Sequence, residues 1–359
     1  MKIAIFCTNE YTTPPPKNVI YAPLNIASAI TEGLVAKKHQ VYLFAARGSK
    51  TKAKLITDNL LPLRKNPLLP KLTDRIVGFY EQKMLSTLFR MAQKNKFDII
   101  HIHPIYRTLP FISLVKTPVV FTIHDPFIDK VDYWKKEFLK IYQDTPAYFI
   151  SISDQQRKAV PWLNYAATIY NGVDLKKFKF NPSPKNYFLS VGRIRPEKGV
   201  HHAVNVCRKS KENLLIIGKI EDQKYWNKKI KPYLGKNIKY LGTLSREKII
   251  HYFISAKGFL FPVNWEEPFG LVMIEAMAGG TPIIAFRRGS VPEVIQDKKT
   301  GFIVKNEKEM ASVLKKIKQI KRNDCRSLVE KKFSEEKMVD GYEKIYYKIL
   351  KKEKNKKVL

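Results

Sequence analysis

The chain has 359 residues, 44% of them apolar and 12% aromatic, enough for about two domains and too rich in core-forming side chains for disorder. Lys and Arg number 66 against 32 Asp and Glu, a net charge of +34; this favours nucleotides, nucleic acid or an acidic membrane face, or else is a lysine bias spread over solvated surface. No apolar run reaches the ~18 residues of a bilayer-crossing helix, and Cys7, Cys207 and Cys325 lack C-x-x-C spacing, which excludes a disulfide framework or Cys-zinc site and fits a reducing cytoplasm.

The opening MKIAIFC is too short for a signal-peptide core and reads as a first strand. Further apolar runs follow at 40–46, 97–102, 118–123, 147–152 and 167–170. They are continuous rather than alternating, as a parallel sheet buried on both faces requires. Between them, 74–95 places Ile76, Phe79, Tyr80, Met84, Leu88 and Met91 near helical spacing, and Ser153 with Gln156 forms a capping-box pattern. The stretch 179–186, KFNPSPKN, interrupts the alternation and reads as a linker. Strand signals resume at 187–191, 214–217, 238–241, 258–263, 281–286 and 301–304. The pattern predicts an α/β protein of two doubly wound domains facing one cleft, 1–180 and 181–334. A final helix at about 335–352 carries Met338, Tyr342, Ile345, Tyr346 and Ile349, and a basic tail, KKEKNKK, completes the segment 335–359.

Ligands in open parallel sheets bind at the carboxyl ends of strands. The densest signal there is 264–285, NWEEPFGLVMIEAMAGGTPIIA. Pro268 suits a first helical turn, Gly270 permits the entry, and Gly279-Gly280 ends an apolar run broken only by Glu275. Glu267 therefore stands just before a helix N-terminus, a ready phosphate site, and Glu275 one to two turns inside it. A sugar or ribose diol would satisfy that buried carboxylate; alternatively Glu267 is a capping anion and Glu275 the partner of a nearby Lys. The second signal is SVGRIRPEKGV at 190–200, a strand-to-helix turn in which Gly192 allows a sharp bend, Arg193 can fork onto phosphate and Lys198 adds a charge. The third is His124, emerging from the strand 118–123 and able to bond a sugar hydroxyl, manage a proton, or simply be satisfied by backbone. His101 and His103 share a strand face without a third ligand, and His201, His202 and His251 read as helix-surface residues. A G-x-G-x-x-G loop, a Walker A loop and a nucleophile elbow are absent, which removes most support for oxidoreductase or NTPase chemistry.

The string Glu267-Pro-Phe-Gly-Leu-Val-Met-Ile-Glu275-Ala-Met-Ala-Gly-Gly-Thr-Pro resembles the paired-glutamate signature of the retaining glycosyltransferases of family 4. Gly192-Arg193 with Glu197-Lys198-Gly199 resembles that family's phosphate-binding turn, Tyr170-Asn171-Gly172-Val173-Asp174 its inter-domain segment, Thr122-Ile123-His124-Asp125 its His loop, and Gly289, Glu293 and Thr300-Gly301 its closing segments. The resemblance spans nearly the whole chain. It implies the GT-B fold, with the acceptor mostly on the first Rossmann-like domain, a nucleotide-diphosphate sugar on the second, and the last helix crossing back to the first. It also implies that Gly192, Arg193 and Lys198 hold the donor diphosphate, Glu275 the ribose and Glu267 the donor sugar. Backbone amides near Phe269, Gly270 and Leu271 would support sugar or phosphate, and His124 would lie beside the transferred sugar. No metal and no cofactor are implied. Many relatives carry Gly-Gly in the first loop, where this chain has Thr12 to Pro23 with Pro14-Pro15-Pro16.

The expectation is thus a cytoplasmic, metal-independent, retaining glycosyltransferase acting on a hydroxyl acceptor, a glycan or a lipid-linked intermediate. The basic and aromatic stretch 64–90 (Arg64, Lys65, Lys71, Arg75, Phe79, Tyr80, Phe89) admits a peripheral contact with anionic lipid, or is an ordinary amphipathic core helix with solvated Lys. The rival readings are another GT-B enzyme, such as a sugar-nucleotide epimerase or a phosphorylase, and a basic nucleic-acid-binding protein, for which no binding motif is present.

Overall fold

A computed structural model describes residues 1–17, 19, 21–69, 71–127 and 129–356, with the side chains of all of these except 129–132 and 356. Asn18 and Ile20 of the proline-rich loop and Lys357 of the basic tail lie outside the described residues. The chain forms two compact units, Met1–Tyr170 with Glu335–Leu359, and Asn171–Ser334.

The first unit is built on a parallel sheet of β1 (Lys2–Phe6), β2 (Gln40–Phe44), β3 (Lys54–Ile56), β4 (Ile99–Ile102), β5 (Val119–Thr122), β6 (Tyr148–Ser151) and β7 (Tyr165–Thr168). Their order is β3-β2-β1-β4-β5-β6-β7, so the winding reverses between β1 and β4. Phe6 stands opposite Phe44 on one side and Ile102 on the other. Both faces of the inner strands β1, β2, β4, β5 and β6 are buried, which is why their sequences are apolar without alternation, whereas the edge strands β3 and β7 are partly exposed.

The helix Asp74–Gln93 is capped by the Thr73 side chain and buries Val77, Glu81, Met84, Leu85, Leu88, Phe89 and Ala92. Its inward face is thus turned from the expected stripe: Phe79 is 57% exposed, whereas Phe89 is core. The turn follows Glu81, which is drawn inside by the Arg107 guanidinium and the Thr8 hydroxyl.

The helix Glu335–Lys356 belongs to the first unit. Tyr342 and Tyr346 are fully buried, and their hydroxyls bond Thr122 Oγ1 at 3.0 Å and His101 Nδ1 at 2.7 Å. It packs closely on the helix Ala22–Ala36, because a Cβ at Gly33 would come 2.5 Å from Val339 Cγ2.

The second unit holds β8 (Lys185–Val191), β9 (Leu214–Ile217), β10 (Ile238–Tyr240), β11 (Ala256–Phe261), β12 (Ile283–Phe286) and β13 (Gly301–Val304), all parallel, in the order β10-β9-β8-β11-β12-β13. Its switch point lies between β8 and β11.

The chain enters this unit at Asn171 rather than after residue 180, because Val173 N–H bonds Phe333 C=O at 2.9 Å and bridges Ser334. Nor is 179–186 a free linker. The Arg322 guanidinium donates to Asn181 O at 2.6 Å, Arg326 donates to Phe178 O at 2.7 Å, and Lys185 already begins β8.

Candidate active site

At the carboxyl ends of β8 and β9 two glycines touch. A Cβ on Gly218 would lie 1.8 Å from Gly192 O, so the turns pass each other with backbone alone between them. Beyond Gly192 the chain makes a short turn, Pro196–Lys198, and Gly199 adopts a left-handed conformation (φ 64°) to start the helix Val200–Lys209. A Cβ at Gly199 would sit 1.8 Å from Pro262 O, so this turn is pressed against the end of β11. The Asn264 N–H bonds Glu197 C=O at 2.8 Å across the same seam.

That seam brings two residues expected at the site into contact. Lys198 Nζ is 2.7 Å from Glu267 Oε2, and Glu267 is only 8% exposed. The Trp265 Nε1–H donates to the same oxygen at 2.7 Å, and the Lys198 ammonium stands 4.3 Å from the centroid of the Trp265 ring. The backbone of Glu267 is fixed as well. Gly289 lies directly on it, and Ser290 N–H bonds its carbonyl at 2.9 Å.

Gly270 takes the left-handed conformation (φ 74°) and starts the helix Leu271–Ala278, which has no side-chain cap. Glu275 is buried in this otherwise apolar helix and faces Arg246 Nη2 at 2.7 Å, so its partner is an arginine rather than a lysine. Burial raises the Glu275 pKa, and the Arg246 charge opposes that rise. The Phe269 side chain packs into the core, 5.9 Å from Phe333, and its carbonyl accepts from Ser290 Oγ at 2.9 Å.

Arg193 is not joined to the Lys198–Glu267 pair. It is half exposed and reaches Glu221 Oε2 at 3.4 Å. At the same sheet edge a cavity of about 590 Å³ is lined by Arg195, Pro196, Glu197, Glu221, Asp222 and Gln223.

In the first unit, His124 follows β5. Its Nε2 is 2.8 Å from His103 Nδ1, with the rings stacked at 5.1 Å. His101 continues the row, bonded to Thr122 Oγ1 at 2.8 Å and to Tyr346. Burial lowers His124 to about 4 and His101 to about 3, the latter helped by His124, so these imidazoles are neutral at pH 7. His103 Nε2 is buried without a partner among the described residues. Asp125 pairs with Lys135 at 2.6 Å.

His201 and His202 are not plain surface residues. His201 Nδ1 meets Tyr225 OH at 2.8 Å, and His202 bridges Glu307 and Asn264. His251 is exposed. Trp265 and Arg246, which bind the two glutamates, were not singled out by sequence. An aromatic residue two places before Glu267 was the available signal for Trp265, and Arg246 offered none, being 29 positions from Glu275.

Residues 173–337 match the model of the glycosyl transferases group 1, and residues 25–177 that of Glycosyltransferase Family 4. The chain belongs to the family 4 glycosyltransferases. This glycosyltransferase is 31% identical to a 41.2 kDa protein of the cps region of Klebsiella pneumoniae over 73% of its own length and 83% of that protein. Sucrose-phosphate synthase from Thermosynechococcus elongatus superposes with a TM-score of 0.77 at 19% identity, covering 97% of this chain and 99% of that one. Anabaena HepE, in a structure in complex with UDP, gives 0.70 at 16% identity, covering 96% and 99%. These likenesses identify the fold as GT-B. Among the described residues no helix is long and apolar enough to cross a membrane, and no three His, Cys, Asp or Glu side chains converge as a metal site.

Proposed function

We propose that the enzyme moves a hexose-type sugar from a nucleotide-diphosphate sugar to a hydroxyl acceptor with retention at the anomeric carbon and without a metal. The observation that carries this reading is the Lys198–Glu267 pair at the left-handed entry to the helix Leu271–Ala278. It sets a cation for phosphate beside a carboxylate for sugar hydroxyls, next to backbone amides at a positive dipole end. In this reading Lys198 and Arg193 take the diphosphate, with Gly192 allowing close approach. Glu275 accepts from the ribose hydroxyls, Glu267 orients the sugar, and the backbone at Phe269, Gly270 and Leu271 supports sugar or phosphate. His124 is assigned to the sugar's hydroxyls as a neutral imidazole. Structures of Anabaena HepE with UDP and with UDP-glucose lend support to such a donor here.

The bond from the anomeric carbon to the diphosphate oxygen breaks as the acceptor oxygen bonds that carbon on the same face. The acceptor's proton passes to the departing diphosphate oxygen. Lys198 and Arg193 stabilise the negative charge developing there, the role a divalent ion fills in other transferases. A nucleotide-diphosphate sugar that raises Tm in a thermal-shift panel identifies the donor, since binding stabilises the fold by mass action. The product's anomeric configuration is then read by NMR, with EDTA present. Lys198→Ala and Glu275→Ala are expected to lose transfer while remaining folded; inversion, a metal requirement or full activity in both variants contradicts the reading.

A second reading, peripheral contact with anionic lipid and a lipid-linked acceptor, rests on one observation. Leu68 is 84% and Phe79 57% exposed, with the Arg75 guanidinium 5.7 Å from the Phe79 ring, so aromatic, aliphatic and cationic groups share the surface of the first unit. Co-sedimentation with vesicles that does not rise with anionic lipid content removes it. We place the enzyme in the cytoplasm, where its three buried free cysteines stay reduced.

A further inference from the structure

We infer that Trp265 is a positioning residue: its indole N–H holds the Glu267 carboxylate while its ring face holds the Lys198 ammonium, so that an arriving diphosphate can take the lysine without releasing the glutamate. The inference rests on the donor-site reading above and concerns a residue outside the paired-glutamate string.

Three contacts converge on one carboxylate oxygen and one ammonium. Trp265 Nε1 and Lys198 Nζ both lie 2.7 Å from Glu267 Oε2, and the ammonium stands 4.3 Å from the indole centroid. Trp265 itself is half-buried, and Glu267 is 8% exposed on a backbone fixed by Gly289 and Ser290. Glu267 neutralises the charge of Lys198 in this pair.

A diphosphate competes for the same ammonium. When Lys198 turns to it, Glu267 is left as a nearly buried anion near another anion, a state that needs a remaining hydrogen-bond donor. A second lysine or arginine could supply that donor but would itself be drawn to the phosphate. The indole N–H carries no charge and cannot lose its proton, so it keeps Glu267 aligned without entering the competition. The electron-rich ring face meanwhile attracts the ammonium after its carboxylate contact breaks. Tyrosine also has a donor and a ring face, but its hydroxyl can accept and ionise, whereas the indole N–H of tryptophan is donor-only and its ring attracts cations most strongly.

The two functions separate in two variants of the full chain. Trp265→Phe keeps a ring face and removes the N–H. It should weaken UDP and GDP by about two- to fivefold, because Lys198 then leaves Glu267 without that donor, and should weaken the gain in affinity that the sugar of UDP-glucose or GDP-mannose adds by about a further tenfold, the loss expected for a hydrogen bond to a charged group. Trp265→Leu removes both, and should weaken UDP or GDP by about a further two- to fivefold. Calorimetric titrations read these values, with thermal melts alongside. A residue that merely packs the loop would lower Tm and weaken nucleotide and nucleotide-sugar in equal proportion in both variants, and that result overturns the inference. So does Trp265→Phe with the wild-type gain from the sugar. A wild-type chain that binds none of these four probes overturns the donor-site reading and the inference with it, whereas wild-type binding with unaltered variants overturns the inference alone.

Discussion

Arg246 Nη2 lies 2.7 Å from Glu275 Oε1, and this contact is what keeps a carboxylate tolerable inside an apolar helix. Burial pushes the Glu275 pKa up and the arginine charge holds it down, so the two residues act as one electrostatic unit. Glu275→Gln removes a buried charge while keeping the shape. We expect its Tm to equal or exceed that of the wild type, and its affinity for the donor to fall about tenfold through the lost charged acceptor.

Arg246→Ala should behave oppositely towards pH. It strands the Glu275 carboxylate, at a cost of about 1–3 kcal/mol at pH 7, lowered from the fully buried case because the arginine side chain is 44% exposed. A carboxyl whose folded pKa is raised binds protons better in the folded state, so folding gains as pH falls towards the unfolded value near 4.5. The stability gap to the wild type should therefore narrow between pH 7 and pH 5 in denaturant titrations. A gap that widens on acidification would refute the pairing.

Gly289 tests whether the Glu267 backbone must be held. Its φ is 52°, and a Cβ there would come 2.2 Å from Glu267 O and 2.4 Å from Glu267 N. Gly289→Ala should therefore lower Tm by more than backbone strain alone and, as the carboxylate shifts, should weaken the gain in affinity that the sugar of UDP-glucose or GDP-mannose adds over UDP or GDP. Gly242→Ala is the control. It also has positive φ (74°), but nothing lies within 4 Å of its Cβ, so only the strain of about 1–3 kcal/mol applies.

What the sequence disclosed, it disclosed through position. Continuous apolar runs located most strands because both faces of each sheet are covered, whereas β3 at Lys54–Ile56 escaped notice as a three-residue edge strand with a partly solvated face. Gly192 and Gly270 were legible because turns at strand ends demand glycine there, and Gly199 only through its place in the Glu197-Lys198-Gly199 string. The unit boundary was not, because the composition of 179–186 is that of a loop and the tie that fixes it comes from Arg322, far along the chain. Phe79 was misplaced because apolar spacing could not foresee that a carboxylate, Glu81, would take the inward position. The partners of Glu267 and Glu275 are likewise tertiary facts, set by where β8 and the helix Arg246–Ser255 deliver Lys198 and Arg246.

Arg322 offers a stability prediction independent of the site. Its guanidinium donates to Asn181 O at 2.6 Å, to Ala256 O and Ile254 O at 2.8 Å each and to Thr281 Oγ1 at 3.0 Å. Burial pushes its pKa down to about 10, yet it stays charged at neutral pH. Arg322→Leu would leave Asn181 O without its donor and Ala256 O and Ile254 O with one side-chain donor each, Thr281 Oγ1 and Asn181 Nδ2, a loss of about 1–3 kcal/mol. Hydrogen exchange should report it first at the starts of β11 and β12, where Ala256 and Thr281 lie.

The histidine row in the first unit predicts how that unit responds to acid. His101 is fully buried and His103 is 7% exposed, and burial lowers both, His101 to about 3. An unfolded histidine titrates near 6.5, so below that value the unfolded chain takes up protons that the folded chain refuses. The stability these residues contribute is complete above about pH 6.5 and is lost as pH falls towards the folded values. At pH 5 the loss for His101 alone is about 2 kcal/mol. His101→Gln keeps hydrogen-bonding capacity towards Thr122 and Tyr346 but does not titrate, so its loss of stability between pH 7 and pH 5 should be smaller by that amount in chemical denaturation. The same lowering, to about 4 for His124, means that transfer rates should show no inflection near 6.5 from this imidazole. An inflection there that disappears in His124→Asn would show His124 exchanging a proton in the working pH range, and would replace its assignment as a neutral hydrogen-bonding group with that of an acid or base.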